Sequence, residues 1–239
     1  MATLERHRWL FKEIVLAKVN ISYYKLERIA YLALKNAIRL HLDSILLFKN
    51  YSYPSALQLS ILCLEELGKA QEINHYYWTS KTNNGLMLPD DEEKYLKLYY
   101  SHYWKHGAAI NRSFYDFSPS FKKLIDEKKL EQKKQKATYV GLPLINGKVV
   151  YNKRVLSPFM IKGPETKKLI SLNNDILLEM CFYNIEQEGF FDVDGMDKLI
   201  DKKLQKKLKK IWPHRSGIKS RKWNKVWFDK LTKQLALKK

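Results

Sequence analysis

Ala30, Leu34, Ala37, Ile38, His41, Ile45 and Phe48 recur at helical spacing and predict an amphipathic helix that Tyr51-Ser-Tyr-Pro54 brings to a stop. A similar pattern precedes it, from Leu4 to Tyr23. Pro54 suits the first turn of the next helix, where its missing N–H costs nothing, and the pattern carries that helix to Thr79. Between Ala56 and Leu64 it is apolar nearly all round, as in a central helix wrapped by neighbours. After a loop over 80–88 with Asn84-Gly85 as its turn, one helix is predicted from Asp90 to Phe114, with Tyr95, Tyr99, His102, His106 and Ala109 on one face. Phe117-Ser-Pro119-Ser separates it from a lysine-rich helix, Phe121 to Lys136. The period then changes: Leu142 to Ile145 and Lys148 to Tyr151 flank Asn146-Gly147, a two-residue hairpin turn. Beyond the loop around Ser157-Pro158 and Gly163-Pro164, a last helix carries Leu169, Ile176, Met180 and Ile185 to a stop at Gly189. The fold class read from this pattern is all-α, an antiparallel bundle over 1–190 with a small β-hairpin insertion and a helical extension over 191–239.

Charge sets the extension apart. The chain carries +19 overall, yet 16 Lys or Arg against three Asp from Asp197 onward place +13 of it in the last 43 residues. There Ile200, Leu204, Leu208 and Ile211 share one helical face while Lys202, Lys203, Lys206, Lys207, Lys209 and Lys210 cover the others. Trp212-Pro213 and Ser216-Gly217 end that helix, and Trp223, Val226, Trp227 and Leu231 lay a second stripe after the N-cap Ser220. Such a hairpin has three uses: to lie along nucleic-acid phosphates through these lysines with Arg221, Lys222 and Trp223, to dock on an anionic membrane surface, or to pack its stripe on the bundle. Two cysteines, Cys63 and Cys181, are too few for a disulfide framework, so a reducing cytoplasm is the expected home. Charged residues interrupt residues 1–20, so no secretory leader is expected, and no run reaches the roughly 18 apolar residues of a membrane span.

The chemistry concentrates where the central helix turns polar, at Glu65-Glu66-Leu67-Gly68-Lys69. Carboxylates and a lysine are costly to bury there unless they pair or react. A surface bridge from Glu65 to Lys69, four residues on, is the plain alternative. His102 and Lys105 are neighbours across a turn, a pairing suited to metal-independent RNA cleavage: imidazole moves the proton and ammonium steadies the phosphorane. Packed, hydrogen-bonded histidines would give the same pattern. No metal or other cofactor is expected. Glu72-x-x-His75 has one copy where a di-iron bundle needs two, and Tyr103 stands where zinc hydrolases carry a glutamate after the first histidine. Asp192-Val-Asp194-Gly195 lacks the further acids of a calcium loop and reads as a capping turn.

Asn36-Ala37, the Glu65 to Lys69 segment, His102-x-x-Lys105 and Lys136-Ala-Thr-Tyr139, in that order, resemble the AbiV family of abortive-infection proteins, a branch of the HEPN superfamily, over roughly residues 25–185. The resemblance implies an all-α HEPN-like bundle that forms a homodimer, with Asn36, Glu65, Glu66, Gly68, Lys69, His102, Lys105, Lys136 and Tyr139 converging between facing helices. It also implies anti-phage defence. Many HEPN proteins are ribonucleases with an Arg-x(4–6)-His motif; this chain has none, and Lys97-x(4)-His102 is its nearest equivalent. Two mechanisms follow. One is a module that blocks the phage programme by binding RNA, the translation machinery or a phage protein, which the missing arginine favours. The other is a toxin-like ribonuclease centred on His102, Lys105 and the Glu65 to Lys69 segment.

Overall fold

The computed structural model describes residues 21–82, 89–111, 123, 125, 127, 129–145, 148–186 and 193–216. The pattern expected from Leu4 therefore lies outside the described residues except for its last few positions, and so do the second tail stripe and the turn residues Asn84, Gly85, Asn146 and Gly147. Among the described residues the protein is an all-α bundle with one two-stranded hairpin.

Helix α1 (Tyr23–Lys49) is capped by the Ser22 hydroxyl, which accepts from the Lys25 amide, and buries Leu26, Ala30, Leu34 and Ala37 along one stripe. It ends in a Schellman turn: Ser52 N–H reaches Leu47 O at 2.9 Å and Tyr51 N–H reaches Phe48 O at 3.0 Å. Tyr51 fills the left-handed position at φ 60°, where glycine is usual. This three-residue turn returns the chain along α1 as α2 (Tyr53–Thr82). Helix α2 is buried on nearly every side from Ala56 to Tyr77, the central element its all-round apolar sequence predicts. Helix α6 (Gly163–Glu186) packs against both.

The helix predicted from Asp90 to Phe114 is two helices, α3 (Pro89–Leu98) and α4 (His102–Asn111). The amides of Tyr99, Tyr100 and Ser101 reach back three residues, not four, which tightens and closes α3. Ser101 then opens α4, its carbonyl accepting from Lys105 N–H at 3.2 Å. No glycine or proline marks the break. Its consequence is a division of the expected shared face. Tyr95 turns to Tyr76, Tyr99 and Glu72, whereas His102 and His106 turn to Glu65.

Helix α5 (Lys129–Thr138) also packs on α2. The hairpin follows, β1 (Leu144–Ile145) against β2 (Lys148–Val149), with Leu144 opposite Val149 and Ile145 opposite Lys148. A further bridge joins Gly141 to Leu156, and a 3-10 turn (Pro158–Met160) packs on α5. In the extension, α7 (Met196–Leu199) opens at Gly195, whose φ is 80°, and Asp201 caps α8 (Lys202–Ile211) by accepting from Leu204 N–H. Val193, Met196, Ile200, Leu204 and Leu208 join the same buried cluster as α1, α2 and α6. Trp212 fastens the end: its indole N–H donates to Ser171 Oγ at 2.9 Å and its carbonyl accepts from Asn174. No helix among the described residues is long and apolar enough to cross a membrane.

Candidate active site

Gly68 decides how closely α2 and α4 approach. A Cβ there would lie 2.1 Å from the Lys105 carbonyl oxygen and 2.8 Å from the Ala109 nitrogen, both backbone atoms that cannot swing aside. The glycine costs α2 helix propensity and brings the α4 backbone directly onto it. One turn earlier on α2, Glu65 meets the face of α4 formed by His102, Lys105 and His106, spaced i, i+3 and i+4. Helix α5 closes the far side with Glu131 and Lys134.

The centre is the Glu65 carboxylate, only 2% exposed. Its Oε2 is 2.6 Å from His102 Nδ1 and 3.2 Å from Lys105 Nζ; its Oε1 is 3.1 Å from Lys134 Nζ. His106 Nε2 lies 3.3 Å from Oε1, within ion-pair range but off the line of a directed hydrogen bond. Lys134 also reaches Glu131 Oε2 at 2.7 Å. Burial alone would push the Glu65 carboxyl up; contacts with His106 and His102 and the charges of Lys134 and Lys105 outweigh it and hold the carboxyl well below the usual carboxylate range. Glu65 is therefore a fixed anion. Of its partners, Lys105 and His106 are buried, Lys134 nearly so, and His102 alone is substantially open, with 46% of its side chain exposed.

A carboxylate on Nδ1 fixes one imidazole tautomer and leaves the opposite ring nitrogen as a proton acceptor toward solvent. Such a pair moves protons. Glu65, His102 and Glu131 also set ligand atoms within 4.8 Å of one another, close enough to surround a metal ion. Two ammonium groups, however, stand 3.1 to 3.2 Å from the Glu65 oxygens such an ion would need, and would repel it.

Of the expected set, Glu65, His102 and Lys105 meet here. Glu66 and Lys69 pair with each other at 3.1 Å. Asn36 on α1 accepts from the Arg39 guanidinium at 2.9 Å, Lys136 lines a cleft beside α5, and Tyr139 is exposed beyond the end of that helix. Glu131 and Lys134, absent from the sequence reading, complete the cluster; their i, i+3 spacing was the available signal, hidden among the many charged residues of that helix. In the extension, Lys202, Lys203, Lys206, Lys207, Lys209 and Lys210 are all exposed, whereas Arg221, Lys222 and Trp223 lie outside the described residues.

No curated protein and no solved structure matches the chain. A family model, AbiV of the HEPN class, matches residues 25–176, well over half of the sequence and the whole stretch that supplies Glu65, His102, Lys105 and Lys134. The basic extension lies beyond that match. With the helical bundle and this match together, the chain belongs to the AbiV family of HEPN proteins.

Proposed function

We propose that the chain acts in abortive-infection defence as a metal-independent ribonuclease with His102 as its proton-transferring group. The observation that carries this reading is the half-open His102 imidazole held at 2.6 Å by a buried carboxylate that stays ionised. Nε2 takes the proton of an RNA 2′-hydroxyl; the freed oxygen attacks the adjacent phosphorus, and the 5′-oxygen leaves with a proton. The products are a 2′,3′-cyclic phosphate and a 5′-hydroxyl. His102 of a second copy across a two-fold axis supplies the leaving-group proton, so the active species is a homodimer. Lys105 and Lys134 balance Glu65 and Glu131, so protonation of His102 gives the cluster a net positive charge toward the phosphate.

The test is incubation of the purified protein with total cellular RNA in chelator. Cleavage to cyclic-phosphate ends, lost in His102→Ala, supports the reading; intact RNA opposes it. A strictly monomeric mass by light scattering at micromolar concentration removes the two-copy step.

A second reading, binding without catalysis, draws on the exposed lysines of α8 and on the absence of Arg-x(4–6)-His. RNA, the translation machinery or a phage protein is then the partner in the cytoplasm. It predicts that His102→Ala still protects cells from phage and that charge reversal along α8 does not.

A further inference from the structure

Helix α5 has two charged faces. Glu131 and Lys134 turn to Glu65, while Lys129, Lys133 and Lys136, spaced i, i+4 and i+7, line a cleft of about 340 Å³ on the opposite side. Gln132, Gln135, Pro143, Leu156 and Glu165 complete its walls. Glu165 pairs with Lys133 and Glu127 with Lys129, whereas Lys136 has no ion pair among the described residues. The walls thus carry three cations against one anion. The segment that closes the cleft also presents Tyr139, Tyr151 and Phe159 at 68%, 81% and 94% exposure, and the turn bearing Phe159 packs on α5 itself. Rings left in water on the segment that supplies Pro143 and Leu156 to the cleft, together with an unpaired lysine in its wall, match a nucleic-acid strand: phosphates meet ammonium groups and unstacked bases meet aromatic faces. A duplex, whose bases are already stacked, has no use for such rings.

We propose that this cleft is a subsite for single-stranded RNA, taking a phosphate at Lys136 and stacking a base on Phe159 or a neighbouring tyrosine. The choice of RNA over another anionic ligand rests on the nuclease reading of His102; the choice of a single strand rests on the rings. The site is distinct from the lysine face of α8.

The experiment uses full-length His102→Ala protein, which leaves RNA intact, and a 12-nucleotide single-stranded RNA containing 4-thiouridine, near 150 mM salt. Photocrosslinks are expected in the 139–159 segment. Adding Lys136→Glu or Phe159→Ala should weaken oligonucleotide binding by roughly five- to tenfold and remove those crosslinks, the salt dependence falling by about one charge with Lys136→Glu. Crosslinks confined to the extension, or both variants binding as the parent does, would overturn the proposal. So would uridine monophosphate competing as well as the oligonucleotide, which assigns the cleft to a free nucleotide, or a duplex crosslinking equally at the same residues. The two readings fail separately: crosslinking here by a protein whose parent cuts nothing retires the nuclease and keeps the subsite, and cleavage without these crosslinks does the reverse.

Discussion

Two buried polar nodes cross-link the bundle, and they are opposites. At one, Glu65 remains charged at 2% exposure because four basic groups from α4 and α5 surround it, one of them open to solvent. At the other, His41 is fully buried and bonds through Nε2 to Asn174 Oδ1 at 3.0 Å, while Asn174 donates to the Trp212 carbonyl and the Trp212 indole donates to Ser171. Burial pushes His41 down to about 4, against the weaker upward pull of the Asn174 hydrogen bond, so it stays neutral near pH 7. Both nodes join helices distant in sequence. Only the first combines fixed charge with an accessible proton carrier; the second is sealed and ties the extension to the bundle. Burial of a histidine thus argues against chemistry, and burial of the group that holds a histidine argues for it.

The sharpest way to break the contrast is Glu65→Ala. It leaves Lys105 buried with no anion and Lys134 with Glu131 alone, and should cost on the order of 3–5 kcal/mol by chemical denaturation. A loss under about 1 kcal/mol would mean that the cations relax into water and the node is not a closed network.

Acid should separate the nodes next. Unfolded His41 takes a proton near 6.5, the folded residue only near 4, so its contribution is complete above about pH 6.5 and declines as pH falls toward 4, by about 3 kcal/mol in total. Glu65 is shifted down as a carboxylate, so its contribution is complete above the usual carboxylate range and is lost progressively as pH falls from that range toward its lower folded value. Melting curves of parent and His41→Gln protein between pH 7 and 4 should therefore diverge in slope, the variant losing less. Parallel curves would remove His41 as the source.

Gly68→Ala should cost about 1–3 kcal/mol and impair RNA cleavage, because the added methyl collides with backbone on α4 and lifts His102 from Glu65. An unchanged melt and rate would mean that the two helices separate freely. The smallest effect belongs to Lys69→Ala, which removes an i, i+3 pair with Glu66 and should change stability by less than about 1 kcal/mol with cleavage intact. Lost cleavage there would return Lys69 to the site.

These contrasts follow how far the sequence speaks. Periodicity sufficed for α1, α2, α6 and α8 because each carries an apolar stripe or an all-round apolar run that packing then uses. The break between α3 and α4 left no local mark: Tyr99, Tyr100 and Ser101 all tolerate helix, and burial of Tyr99 beside Tyr95 is a tertiary choice. Glu65, His102 and Lys105 were legible because charges following an apolar run, and a histidine beside a lysine, need partners. Lys134 was not, since nothing in Lys133-Lys134-Gln135-Lys136 says which lysine faces inward until α2 and α5 are docked.

The most direct test of the central claim is His102→Ala carried through thermal melting and RNA cleavage in chelator on the same preparation. Glu65 keeps Lys105, Lys134 and His106 around it, so the variant should melt within a few degrees of the parent while cleavage falls at least a hundredfold. A variant that still cuts RNA at the parent's rate, or loses cleavage only because it unfolds, would contradict a proton-transferring His102 and leave the Glu65 cluster a structural clamp like the His41 node.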